Sequence, residues 1–204
     1  WGDGGDGALG QNDNTARSSP TQVGSDGNWQ ISGAGNNETR NTASKKSAYS
    51  IKNDGTLWAW GENHSGGLGV NLGPGGGNAA YSSPIQIPGT TYSSVSGGYY
   101  NAAVVKTDGT LWSWGYNYLG LLGQNNRTNY SSPTQIPGTN WSSSASGHYM
   151  MLARKTDGTM WTWGHNGNGQ LGQNLPQNAN RSSPVQLPGT DWSEQYCNNQ
   201  SACS

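Results

Sequence analysis

Phenylalanine is absent from this chain, and charge and cysteine are scarce. Hydrophobic residues make up only 30% of its 204 residues, against 33 glycines; aliphatic core material this thin verges on the composition of a disordered segment. Ten Trp and ten Tyr reverse that reading, because each large ring buries much area at a single position. With 10 basic and 11 acidic residues and a net charge of −1, there is no basic stripe to neutralise phosphates, which argues against nucleic acid as a partner. No apolar run reaches the roughly 18 residues of a membrane-spanning helix. Nor is there a sustained helical period, which excludes helical and leucine-rich solenoids. Cys197 and Cys203 could close one short disulfide loop in an oxidising compartment, or stand as free thiols in a reducing one. The length suits one domain of ordinary size.

What the chain does have is repetition. Lys-x-Asp-Gly-Thr-Leu-Trp-x-Trp-Gly runs from Lys52 to Gly61 and from Lys106 to Gly115, and returns with Met for Leu from Lys155 to Gly164. The Trp of each Trp-Gly step falls at Trp1, Trp60, Trp114 and Trp163, spaced 59, 54 and 49 residues apart. Counted from these steps the repeats are 1–59, 60–113, 114–162 and a shorter 163–204. Each step is followed by Gly-x-Leu-Gly, ending at Gly10, Gly69, Gly123 and Gly172, and then by Ser-Ser-Pro-x-Gln, beginning at Ser18, Ser82, Ser131 and Ser182. A Pro-Gly-Thr turn at Pro88, Pro137 and Pro188 precedes an aromatic residue, Tyr92, Trp141 or Trp192, which Trp29 matches in the first copy. A period near 50 residues means one supersecondary unit copied and stacked.

Each unit reads as strands. Ala102 to Lys106 is apolar, Asp108-Gly109 favours a two-residue type I′ hairpin turn, and Thr110 to Trp114 is rich in strand formers. With period 2, Thr110, Trp112 and Trp114 face one way and Leu111 and Ser113 the other, so neither face is wet. Such a sheet is covered by setting its Trp face against the Leu face of the next. Further strands fit Ser-Ser-Pro-x-Gln-Ile and Tyr92 to Ser96, with the proline confined to an edge. Four strands in about 50 residues describe a propeller blade. The expected fold is all-β: a β-propeller of four-stranded antiparallel blades, about three complete and partial ones at both ends. A parallel β-helix is the alternative. Repeat equivalence places Trp58, Trp60, Trp112, Trp114, Trp161 and Trp163 in the core, where Trp112→Ala is expected to cost about 3 to 5 kcal/mol.

Lys-Thr-Asp-Gly-Thr-Leu-Trp-Ser-Trp-Gly-x-Asn followed by Gly-x-Leu-Gly resembles the repeat of the regulator of chromosome condensation family, in wording closest to bacterial and viral members. The resemblance covers nearly the whole chain and implies a β-propeller, commonly seven-bladed. It implies less about function, since such propellers serve as exchange factors, inhibitors, photoreceptors and scaffolds. The chain begins and stops within a repeat, so a piece of a longer array, or self-association of chains that completes the propeller, is expected.

In that family the residues after a Gly ahead of each hairpin lie near the central axis and meet partners. Here these are Tyr99, Tyr100 and Asn101, then His148, Tyr149 and Met150, and by alignment Asn198, Asn199 and Gln200. Rigid aromatic area with adaptable hydrogen bonding suits a protein interface; the competing reading is that Tyr100 and Met150 plug a channel. Insertions near Asn36 to Lys46 and Pro74 to Gly77 read as surface loops.

Chemical motifs are few. Gly-x-Gly-x-x-Gly at Gly5 to Gly10 and Gly167 to Gly172 opens no helix and is a by-product of the repeat. Asp3 and Asp6 suit a turn better than a calcium loop, since the aligned copies offer Glu62 and Ser65, Tyr116 and Leu119, or His165 and Asn168. His64, His148 and His165 lie in separate repeats without metal spacing, and no nucleophile elbow occurs. The expectation is a non-catalytic recognition or structural module without cofactor or metal, contacting a protein partner. Asn-x-Ser/Thr triplets and few lysines lean toward an extracellular or virion-surface (tail-associated) component. The alternatives are a carbohydrate-binding module using exposed Trp and Tyr to take a glycan, and a guanine-nucleotide exchange factor.

Overall fold

The computed structural model describes residues 1–25, 27–30, 41–43, 46–72, 79–193, 196–197 and 202–203. Its regular elements are almost all strands, arranged as three four-stranded antiparallel sheets. The first holds β1 (Asn41–Ala43), β2 (Ser47–Ile51), β3 (Leu57–Glu62) and β4 (Ala80–Ile87). The second holds β5 (Tyr92–Gly97), β6 (Asn101–Lys106), β7 (Leu111–Gly115) and β8 (Tyr130–Ile136), and the third β9 (Trp141–Ser146), β10 (Met150–Lys155), β11 (Met160–Gly164) and β12 (Arg181–Gln186). A two-stranded pair, β13 (Tyr196–Cys197) and β14 (Ala202–Cys203), follows. Within each large sheet the strands lie in chain order, the meander of a propeller blade. Ser-Ser-Pro falls in the outermost strand of each blade, next to a register shift, where a missing N–H is tolerated.

The faces alternate as the strand period requires. Ala102 pairs with Trp114 and Val104 with Trp112, so the Trp face of the second blade carries those four. It packs on Tyr49, Ile51, Leu57, Ala59 and Ile87 of the first. The other face, Ala103, Val105, Leu111 and Ile136, meets Trp141, Met151, Ala153 and Trp163 of the third. One rule of burial thus builds both seams. The Trp face of the first blade borders an apolar cavity of about 450 Å³ lined by Val23, Trp29, Ala48, Tyr49 and Trp60.

The second Trp of each pair locks the seam. Trp60, Trp114 and Trp163 are buried, and their Nε1–H groups donate to the carbonyls of Ala8, Gly67 and Leu121 at 3.0, 2.8 and 2.8 Å. These carbonyls belong to the Gly-x-Leu-Gly loop of the unit before. A Cβ on Gly69, whose φ is +71°, would stand 2.7 Å from the Trp114 Nε1, so glycine is needed both for the left-handed turn and for the close approach. Asn12, Asn71 and Asn125, all at positive φ, donate their backbone N–H to Ser82, Ser131 and Ser182 carbonyls in the next blade's outer strand.

Two expectations change. Asp108 has negative φ while Gly109 lies at +76°, and both Gly109 N–H to Lys106 O and Lys106 N–H to Thr110 O are bonded. The hairpin is therefore a three-residue loop with glycine at the left-handed position, not a type I′ pair. The Asp108 carboxylate accepts from the Thr110 N–H and hydroxyl, and Thr110 Oγ1 accepts from Trp112 Nε1–H. Trp58, Trp112 and Trp161 are only half-buried. Their partners are lysines: Lys52, Lys106 and Lys155 each lie between that Trp and Trp29, Tyr92 or Trp141, 4.3 to 5.2 Å from the ring centroids. These indoles are sandwich partners at the rim of the core.

Candidate functional site

Antiparallel order puts the β5–β6 and β9–β10 turns at the same end of the blades as the loops after β3, β7 and β11. Each turn is tight: Gly98 N–H donates to Asn101 O at 2.8 Å and Gly147 N–H to Met150 O at 2.9 Å. Tyr99 and Tyr100, then His148 and Tyr149, are left at the tips. Gly98 has no room for a side chain, because a Cβ would approach the neighbouring turn's Gly147 O to 2.7 Å. The two turns are held side by side.

The facing loops are fixed from inside. Buried Asn63, Asn117 and Asn166 accept through Oδ1 from the N–H of Leu68, Leu122 and Leu171, closing each loop on itself. That anchoring presents their sequence neighbours His64, Tyr116, Tyr118 and His165.

Together these side chains form a continuous ladder of six rings. His64 stacks on Tyr100 at 4.2 Å between centroids, Tyr100 meets Tyr99 edge-on at 4.4 Å, and Tyr99 stacks on His148 at 3.9 Å. His148 then stacks on Tyr149 at 3.9 Å, and Tyr149 meets His165 edge-on at 6.0 Å. Tyr116 and Tyr118 stack beside it at 6.3 Å. Burial, and then the nearby phenols of Tyr118, Tyr149 and Tyr99, push the Tyr116 hydroxyl above its usual range, so it stays neutral at physiological pH. Tyr149 and Tyr118 are exposed, the latter at 64%. The surface is an aromatic strip with polar edges.

Sequence reasoning located four of the six rings. The repeat position that marked Tyr99, Tyr100, His148 and Tyr149 does bring them together. It also marked Asn101 and Met150, and there the structure corrects it: each is the first residue of a strand and points inward. Asn101 is 0% exposed, with Nδ2 3.9 Å from the Met151 sulfur, and Met150 is 2% exposed in a cluster with Leu152, Met160 and Leu171. They support the turns from beneath. Asn198, Asn199 and Gln200 lie outside the described residues. Cys197 and Cys203 sit on paired strands, in register with Ala202 and Tyr196, but their side chains are outside the description. His64 and His165 were set aside because the histidines fall in separate repeats; their position just after Trp-Gly, next to an anchoring Asn, was the usable signal. Among the described residues no group of three or more His, Cys, Asp or Glu is placed to hold a metal ion, and no helix is long and apolar enough to cross a membrane. The only exposed indole among them is Trp1.

Fold and strip define a repeat protein of the β-propeller class. Residues 108–153 and 157–194 match the regulator of chromosome condensation (RCC1) repeat, and residues 92–121 match a second model of that repeat. The chain is 33% identical over 123 residues to the mitochondrial RCC1 domain-containing protein RUG3 of Arabidopsis thaliana, covering 57% of this chain and 26% of the relative. Human WBSCR16 superposes with a TM-score of 0.76 at 24% identity, over 97% of this chain and 50% of that one. Prp20p of Saccharomyces cerevisiae, whose binding to Gsp1p and histones has been described, superposes with a TM-score of 0.69 at 18% identity, over 79% and 42%. These matches support the RCC1 repeat family. The chain spans about a quarter of the curated relative and half or less of the solved neighbours.

Proposed function

We propose that this chain is a protein-interaction module whose contact surface is the aromatic strip. One observation carries the reading: the repeat is constant where it builds the fold, at Trp, Gly, Asn and Ser-Ser-Pro, and varies where it builds the strip. The Lys46, Tyr100 and Tyr149 carbonyls accept equivalent bonds from the N–H of Glu62, Tyr116 and His165, yet the side chains at these matched positions differ. Variable side chains on a rim held by constant anchors are one way a repeat protein encodes a partner. RCC1-type neighbours in complexes agree in kind: yeast Prp20 has been solved bound to Kap60.

Peptide-display selection against the intact chain tests this. Selected peptides should lose binding at least about tenfold to Tyr99→Ala plus Tyr149→Ala, the loss expected when aromatic hot-spot residues are truncated, and keep it in Asp108→Asn at the opposite end. Peptides insensitive to both ring deletions would remove the strip from the function. The same double variant on a glycan array, and nucleotide release from small GTPases, separate the sugar-binding and exchange-factor alternatives.

A further inference from the structure

The strip does not end in neutral surface. At the first blade the position of Tyr100 is taken by Lys46 and that of Tyr116 by Glu62, as the equivalent backbone bonds show. Lys46 Nζ is bound to Asp6 Oδ2 at 2.7 Å and stands 3.9 Å from Glu62 Oε2, beyond hydrogen-bond reach. Two carboxylates therefore face one ammonium. The ammonium is committed to Asp6, with its side chain still 46% exposed. Glu62 is 7% exposed, and its Oε2 is buried without a hydrogen-bond partner. A buried carboxylate oxygen left so is uncommon and costly. Glu62 lies two residues before His64, where the ladder begins, and the hydrogen bond to Asp6, with the fields of Glu62 and Asp6, holds the Lys46 ammonium above its usual range.

Resting on the interaction reading above, we propose that this end of the strip takes an arginine side chain of a partner peptide, its guanidinium lying against the His64 and Tyr100 rings and donating to Glu62. The chemistry fits on three counts. Aromatic faces attract a planar cation. The guanidinium fork supplies the N–H that the Glu62 oxygen lacks. The junction of Asp6, Lys46 and Glu62 carries one surplus negative charge. A lysine would bring the charge without the plane or the fork.

The probes are acetyl-Gly-Arg-Gly-Arg-Gly-amide and its Lys, citrulline and Glu counterparts, titrated into the intact chain with amide shifts read at Glu62 to Ser65 and Gly98 to Asn101. The Arg peptide should shift both segments, and citrulline, which keeps the shape and loses the charge, should bind about tenfold or more weakly. Glu62→Gln and, separately, Asp6→Asn should erase most of that preference with an unchanged melting temperature. If citrulline or Glu peptides bind as well as Arg, or if neither variant alters the preference, the arginine assignment is wrong. In that case Tyr99→Ala decides the rest: peptide binding that it abolishes leaves the strip as the interface. Failure of every peptide to shift the Gly98 to Asn101 amides overturns both readings.

Discussion

The two tryptophans of a single repeat should differ sharply in what they contribute to stability, and the difference follows from which wall of the seam each one meets. Trp114 is fully buried against the first blade, whereas Trp112, two residues away on the same face, is only partly buried under Lys106. At about 25 cal/mol per Å², a buried indole of some 150–250 Å² is worth roughly 4 to 6 kcal/mol as an upper bound. Large-to-small data put truncation of such a ring to Ala at about 3 to 5 kcal/mol. The lost hydrogen bond adds little, because the Gly67 carbonyl keeps a second donor in the Tyr49 hydroxyl. For Trp112→Ala half the area and a cation–π contact of about 0.5–1 kcal/mol are at stake, or roughly 2.5 to 4 kcal/mol in all on the same upper-bound scale. Urea unfolding followed by circular dichroism gives both values if the slope of the transition is preserved. Trp114→Phe serves where Trp114→Ala does not fold. Equal costs, or a greater cost at Trp112, would refute the face assignment on which the seam rests.

Three further outcomes follow from the same seam. Gly69→Ala should destabilise by at least about 2 kcal/mol, since it adds left-handed strain to a collision with the Trp114 indole, and should cost far more than Ala at open, unstrained Gly27; thermal unfolding compares the two. Lys106→Met keeps the alkyl stem and removes the charge, so its loss should be about 0.5–1 kcal/mol with a blue shift in Trp emission, and no loss at all would dismiss the sandwich. The carboxyls of Asp54, Asp108 and Asp157 are held below the usual range by the Thr hydroxyl and Thr N–H two residues on. A depressed folded value means stabilisation that is present above the unfolded value of about 4 and lost as pH falls through the lower folded values. Asp108→Asn should flatten the acid limb of the stability–pH curve, and an unchanged limb would sink this reading.

The blade was legible because its signals are local or periodic. Asp-Gly between apolar runs marks a hairpin, period 2 assigns Trp112 and Trp114 to one face, and the spacing between Trp-Gly steps gives the unit that stacks. Pro133 at an outer edge followed from its missing N–H. The turn type did not follow, because the decision lay with the Asp108 carboxylate, which gains more by capping Thr110 than by entering the left-handed region.

Sequence by itself determined the hairpin, the four strands of each repeat and the rule that a Trp face must find a Leu face, since these rest on chain-local periodicity copied in every repeat. It also marked the Gly-led turns whose tips are Tyr99, Tyr100, His148 and Tyr149. Only the tertiary structure decided how deep each position lies: Trp112 at the rim and Trp114 inside, Met150 and Asn101 in the core one residue away from the surface rings. Only stacking brought His64 of one blade onto Tyr100 of the next and set Glu62 beside Lys46. Burial and contact across a seam depend on residues some 50 positions apart, and no spacing within a single repeat records them.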